Sequence, residues 1–319
     1  MFTRLASAVL VVFLWGIAPI GAMADPAGRV VFSGTWGSGP HQIGMNPAAP
    51  DMLPQGPFMG PGGFRIDSSH VLWISDSVHK CIKGFSTGDA NQPPHVFPCH
   101  FSRLGDLAVT NDEIFVVAME PRGIHVLDKS TGAAKRHIPI PLVNPGRLLV
   151  ISADLIALED PDGGPWLIQG DQAARHTSSA LETVGTADFL FGTLYDLDPA
   201  SRKILQAGWF GPKDEPDLFA VFRRPGGNIA FSRLIGLIDQ TPVLVTLTAS
   251  APQSLEFSHF DRNGGVSQHL VIPVRGSIHL PSQWLLGAGT TLYAFSADLQ
   301  GFSVTAYDFP GTQETGTKK

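Results

Sequence analysis

One pattern constrains this chain more than any other: an apolar run, a short polar turn, and a second apolar run that often closes near an acid. It occurs as FRIDSSHVLWISD (64–76), LAVTNDEIFVVAME (107–120), LLVISADLIALED (148–160), FAVFRRPGGNIAFS (219–232) and LLGAGTTLYAFSAD (285–298). The first three units start 43 and 41 residues apart; the later gaps of 71 and 66 leave room for a degenerate unit near 188–203 and for an insertion. Several units are followed by a further strand ending on an acid and a turn, as in IHVLDKSTG (124–132), LYDLDPASR (194–202) and FSHFDRNGG (257–265). Four short strands in about 40–45 residues, repeated, is the pattern of β-propeller blades. The expected fold is therefore all-β: a six-bladed β-propeller over 64–309, with seven blades as the alternative if the last long gap hides one. RVVFSG (29–34) is expected to pair beside FSVTAYDF (302–309), completing the last blade and covering a sheet edge that would otherwise be open. Residues 310–319 read as a flexible tail.

Composition agrees with a turn-rich β protein. Charged residues are 16% and hydrophobic residues 43%, and 35 Gly with 26 Pro supply turns without reaching the level of a disordered chain. Lys and Arg total 22 against 28 Asp and Glu, a formal net charge of −6. That excludes a basic nucleic-acid binder, which needs clustered cations for the phosphates. The missing 3.6-residue periodicity excludes a coiled coil.

The N-terminus carries an address. Arg4 is the one charge before Asp25, an apolar stretch runs from Leu5 to about Ile20, and Ala22-Met23-Ala24 places small residues where a signal peptidase accepts them. Residues 1–24 are read as a signal peptide cleaved after Ala24, which makes the chain periplasmic or secreted. No later run of about 18 apolar residues follows, so no stable membrane span is expected after cleavage.

An exported setting lets Cys81 and Cys99 oxidise. The turn-rich segment STGDANQPP (86–94) lies midway between them, so a hairpin of KCIKGF and HVFPC would set the two thiols opposite each other and favour a disulfide. The competing reading takes His79-x-Cys81 and Cys99-His100 as metal ligands.

GPGGFRIDSSHVLWISDSVHKCIKGF (60–85) resembles an NHL-type propeller repeat. The Gly-Pro lead, Phe64 and Ile66, Asp67 before the turn, Leu72, Ile74 and Asp76, and then Ile82 and Phe85 all match. Ser69-His70 replaces the usual turn glycine, and Cys81 stands where the repeat has arginine. The later units fit only loosely. The resemblance implies the fold and leaves activity open, because propellers serve as scaffolds, receptors and enzymes.

The mature chain therefore divides into a closing strand with a Gly/Pro/Met-rich loop (25–63), the propeller (64–309) and the tail. The loop carries Trp36, His41, Met45, Met52 and Met59, and its length suggests a lid across one propeller face. His41 with the three methionines, seven residues apart, also offers soft ligands for copper. Glu159, Asp160 and Asp162 form the densest carboxylate group, a strand-exit turn or a weak calcium site. Asp67, Asp76, Glu120, Glu159, Asp160 and Asn228 flank the repeated strands and are the candidates for a central-channel site.

No nucleophile elbow, phosphate loop, dinucleotide fingerprint or zinc-helix motif occurs. Two functions follow. The first is a ligand- or protein-binding scaffold of the cell envelope. The second is a metal-dependent propeller enzyme (a hydrolase, lyase or quinone-type dehydrogenase) with its site in the channel. No nucleic-acid partner is expected.

Overall fold

The computed structural model describes residues 28–45, 60–89, 92–141, 145–152, 155–159, 166–170, 172–175, 182–186, 189–194, 204–210, 216–223, 229–238, 241–248, 254–260, 266–273, 280, 282–286 and 290–309. The predicted signal peptide and tail, Met52, Met59, Asp160 and Asn228 lie outside these residues.

The described strands form six four-stranded antiparallel sheets. Strand β1 (Arg29–Thr35) stands apart from its sequence neighbours. The first sheet holds β2 (Pro61–Ile66), β3 (Val71–Asp76), β4 (Cys81–Ser86) and β5 (His95–Pro98). The second holds β6 (Ser102–Val109), β7 (Glu113–Glu120), β8 (Arg122–Asp128) and β9 (Ala134–Pro139). The third comprises β10 (Leu148–Ser152), β11 (Leu155–Leu158), β12 (Trp166–Gln169) and β13 (Gln172–Arg175). The fourth comprises β14 (Glu182–Thr186), β15 (Phe189–Leu194), β16 (Ile204–Phe210) and β17 (Pro216–Arg223). The fifth is β18 (Ile229–Ile238), β19 (Thr241–Thr248), β20 (Ser254–Phe260) and β21 (Val266–Pro273). The sixth is β22 (Trp284–Leu286), β23 (Thr291–Ala297) and β24 (Gly301–Asp308), completed by β1 from the other end of the chain.

The pairing of β1 with β24 is antiparallel, running from Arg29 opposite Ala306 to Thr35 opposite Gly301 with a bulge between Val30 and Phe32. The expected pairing of the two chain ends is therefore present. One sequence unit is corrected: 219–232 is not a hairpin within one sheet. Its first run is β17, the last strand of the fourth sheet, and its second is β18, the first strand of the fifth. A Pro-Gly-Gly stretch serves a link between sheets as readily as a turn within one.

Both faces of the middle strands are apolar, and this fixes the packing. In β7, Ile114, Val116 and Ala118 face a core shared with Trp73, Ile82 and Phe97 of the first sheet. The alternate residues Phe115 and Val117 face a core shared with Leu148, Ile156 and Ile168 of the third. A strand alternates sides at every residue, so a continuous apolar run fits only between two sheets. The same logic seats Phe64, Leu72 and Ile74 of the first sheet against Phe295, Phe302 and Val304 of the sixth. Val245 and Phe257 of the fifth sheet likewise meet Leu292 of the sixth.

The first strands of successive sheets lie beside one another, from β2 and β6 through β18 and β22. Two glycines let β2 approach β6. A Cβ at Gly62 would sit 2.2 Å from the Leu104 carbonyl oxygen, and one at Gly63 would sit 2.2 Å from Asp106 Oδ1.

Candidate functional site

One group of buried charges, Asp106, Arg147 and Glu159, lies near the first strands of the second and third sheets. Arg65 of β2 is a charged residue in an otherwise apolar strand. Its Nη1 donates to Asp106 Oδ1 at 3.1 Å and its Nη2 to Oδ2 at 2.7 Å. Asp106, on β6, has no exposed side-chain surface. It also accepts from the backbone N–H of Leu148 at 2.9 Å and from Ser282 Oγ at 2.8 Å. Arg65 Nη2 in turn donates to the Leu148 carbonyl at 2.7 Å.

One carboxylate thus ties the first, second and third sheets to the segment entering the sixth. A carboxylate has about four acceptor positions, and four donors reach this one, three of them at Oδ2. A second buried pair stands beside it: Arg147 Nε lies 3.0 Å from both Glu159 oxygens, and Arg147 Nη2 also donates to Glu159 Oε1. Glu159, a channel candidate from sequence, is committed to this arginine across the β10–β11 hairpin.

Asp67 closes the β2–β3 turn. It accepts from the N–H groups of Ser69 and Val71, from Trp73 Nε1 at 2.9 Å, and from Lys129 at 2.7 Å. Burial acts to raise its carboxyl, and the bonds from Lys129, Trp73 and Val71 outweigh burial and hold it below the usual range. It joins the first two sheets rather than the inner cluster. Glu120 accepts from Ser102 Oγ at 2.9 Å and keeps 62% of its side chain exposed.

Asp76 is a clasp for the N-terminal loop. Fully buried, it accepts from Gly44 N at 3.0 Å, His79 N at 3.1 Å and His79 Nδ1 at 2.8 Å, and it lies 3.2 Å from Lys83 Nζ. Lys83, itself buried, also donates to the Gly39 and Gln42 carbonyls. Between these anchors Ile43 is fully buried. At the other end of the loop the Trp36 ring lies tilted against Phe302, centroids 5.3 Å apart, and its Nε1 donates to the Asp298 carbonyl at 2.7 Å. The described part of the loop therefore bridges the sixth and first sheets. His41 is exposed, while Met45 packs against the apolar cluster around Phe64. Among the described residues no three His, Cys, Asp or Glu side chains converge as a metal group.

The cysteine expectation needs correction in register. Cys81 stands opposite Pro98, and Cys81 and Cys99 are both free thiols. The hairpin pairs one residue out of step with the symmetric turn assumed from sequence, so the thiols are not directly opposed. Burial pushes Cys81 up to about 11, with the Asp76 carboxylate adding to the rise, and pushes Cys99 up to about 12, with neighbouring Cys81 adding to it.

The residues missed from sequence are Arg65, Asp106, Arg147, Ser282 and Lys83. A signal for two of them was present. Gly105-Asp106-Leu107 and Gly146-Arg147-Leu148 repeat a glycine, a charge and a leucine 41 residues apart, at the start of the second and third units.

No protein-family model matches the chain, and no curated protein matches it. Solved structures do. The WD40 β-propeller domain of Doa1 is similar with a TM-score of 0.50 at 12% identity, covering 77% of this chain and 78% of that one. Regucalcin of Agrobacterium tumefaciens, described as a calcium-binding protein, gives 0.52 at 14% identity, covering 91% and 97%. Kuenenia stuttgartiensis hydrazine synthase gives 0.51 at 11%, covering 77% and 76%. These likenesses show a β-propeller fold. The NHL repeat in particular is matched by no family model.

Proposed function

We propose that this chain is an exported, closed six-bladed β-propeller that works as a ligand- or protein-binding scaffold in the cell envelope. Six four-stranded sheets, and an apolar core between the sixth and the first, support the closed ring. The segment at 1–24 supports export. In an oxidising compartment Cys81 and Cys99, on adjoining ends of one hairpin, then form a disulfide.

The observation that carries the binding role is the inner charge cluster. Asp106 and Glu159, both buried, are spent on Arg65 and Arg147. They stiffen the frame and leave the loops as the variable, partner-facing parts. The alternative, a metal-dependent enzyme, draws on the likeness to calcium-binding regucalcin; calcium or copper would be its metal.

The test combines two measurements on the mature protein. In-cell crosslinking from the loop at position 41 should capture a discrete partner that is lost when the loop is shortened. Metal analysis with calcium and copper titration should show no stoichiometric uptake. A bound ion that EDTA removes with loss of a hydrolytic activity would replace the scaffold reading with the enzyme.

A further inference from the structure

The sixth sheet has two unlike faces. Phe295, Val304 and Phe302 pack towards the first sheet. On the other face Leu292 and Tyr307, opposite each other, pack with the core of the fifth. Farther along that second face the apolar character stops. Ser296 lies opposite Ser303, and Ser303 opposite Ser33, so three serines line up across β23, β24 and β1. Beyond them Thr35 lies opposite Gly301. A cavity of about 450 Å³ opens over this stretch, bordered also by Asp298, Gln300 and Phe302. That volume lies within the range of small-molecule sites.

We propose that this groove binds a neutral, hydroxyl-rich ligand, a saccharide. The claim goes beyond the scaffold role and stands whether or not a protein docks elsewhere. The hydroxyls of Ser33, Ser296 and Ser303 and the Gln300 amide make no hydrogen bond to other described residues. Adjacent strands are about 4.8 Å apart, a spacing comparable to that of alternate hydroxyls on a pyranose ring. A serine hydroxyl both donates and accepts, as a sugar hydroxyl does, so the row suits an alternating partner.

Charge narrows the class. The one ionisable group on the lining is Asp298, whose Oδ1 is held by the N–H groups of Gln300 and Gly301 at 2.8 and 3.1 Å. No cation lines the groove to compensate a bound anion. An apolar ligand would bury the hydroxyls unpaired, which is costly.

The groove is also held in shape before any ligand arrives. Trp36 fixes the Asp298 carbonyl, and a Cβ at Gly301 would fall 2.3 Å from the Gly34 carbonyl oxygen, so β1 and β24 meet there backbone to backbone. Preorganisation lowers the cost of binding.

The experiment is saturation-transfer NMR on the mature protein with glucose, N-acetylglucosamine, maltose and trehalose, with inorganic phosphate as the anionic control. At least one saccharide should bind with a Kd tighter than about 10 mM, and phosphate should not. Ser303→Tyr, which fills the groove, should abolish the signal at unchanged thermal stability. Ser33→Ala and Ser296→Ala, too small to disturb folding, should each weaken binding about three- to tenfold. Saccharide binding unaffected by all three variants, binding of phosphate instead, or no binding by any of the four sugars would overturn the proposal.

Discussion

Arg65 and Asp106 show what single side chains do in this molecule. Removing the arginine leaves a carboxylate with no exposed surface and two of its four donors gone. Arg65→Ala should therefore cost about 3–5 kcal/mol, read as a shift in the urea midpoint at unchanged slope. Pairing it with Asp106→Leu should recover part of that loss, because no charge is then left stranded. A second prediction concerns His125. It is stacked 3.9 Å from Phe101 and 4.4 Å from His137 and is buried, which pulls its pKa below the ordinary value against the opposing bond to the Pro121 carbonyl. The folded state therefore prefers the neutral ring, and the unfolded state binds the extra proton first. Stability should be complete above about pH 6.5 and fall as pH drops below it. His125→Phe should flatten that fall, measured as the difference in Tm between neutral and mildly acidic buffer. Asp67 adds a lower window: its depressed carboxyl contributes stability above the ordinary aspartate range and loses it on further acidification.

At the scale of elements, backbone proximity matters as much as side-chain packing. Gly62 sits where any Cβ would strike the Leu104 carbonyl. Gly62→Val should separate β2 from β6 and lower Tm by several degrees, whereas Gly88→Ala, in open space, should change little. This contrast marks what the chain made legible. Alternating and continuous apolar runs announced the strands β2, β3, β7 and β23, and the pairing of 29–34 with 302–309 followed from an edge that needed covering. The unit at 219–232 misled because a proline–glycine turn carries no label saying which sheet it serves. The site was less legible still. Asp67, Asp76 and Glu159 were noticed as acids at strand ends, and each proved to hold the frame together. Which cation each acid meets is decided by residues 7 to 62 positions away, Lys83, Arg147 and Lys129, and no local pattern reports that.

For the whole molecule, redox state is the variable that sets whether Cys81 and Cys99 remain free thiols. Both groups are held protonated at neutral pH, so neither should react readily with a thiol reagent in the folded state. The mature chain recovered from an oxidising compartment should nevertheless be lighter by two hydrogens, and reduction should lower its stability by about 3 kcal/mol for a loop of this size. Free thiols in that material would overturn the disulfide. The same preparation tests the address, since its first residue should be Asp25.

The partnership of β1 with β24 has a consequence in time. Residues 29–35 are made long before their neighbours, 301–308. Until then the early strand has no edge to join, and the groove lined by Ser33 and Ser303 does not exist. The sixth sheet is thus left one strand short by its own topology until the hairpin of β23 and β24 arrives and zips onto the waiting segment.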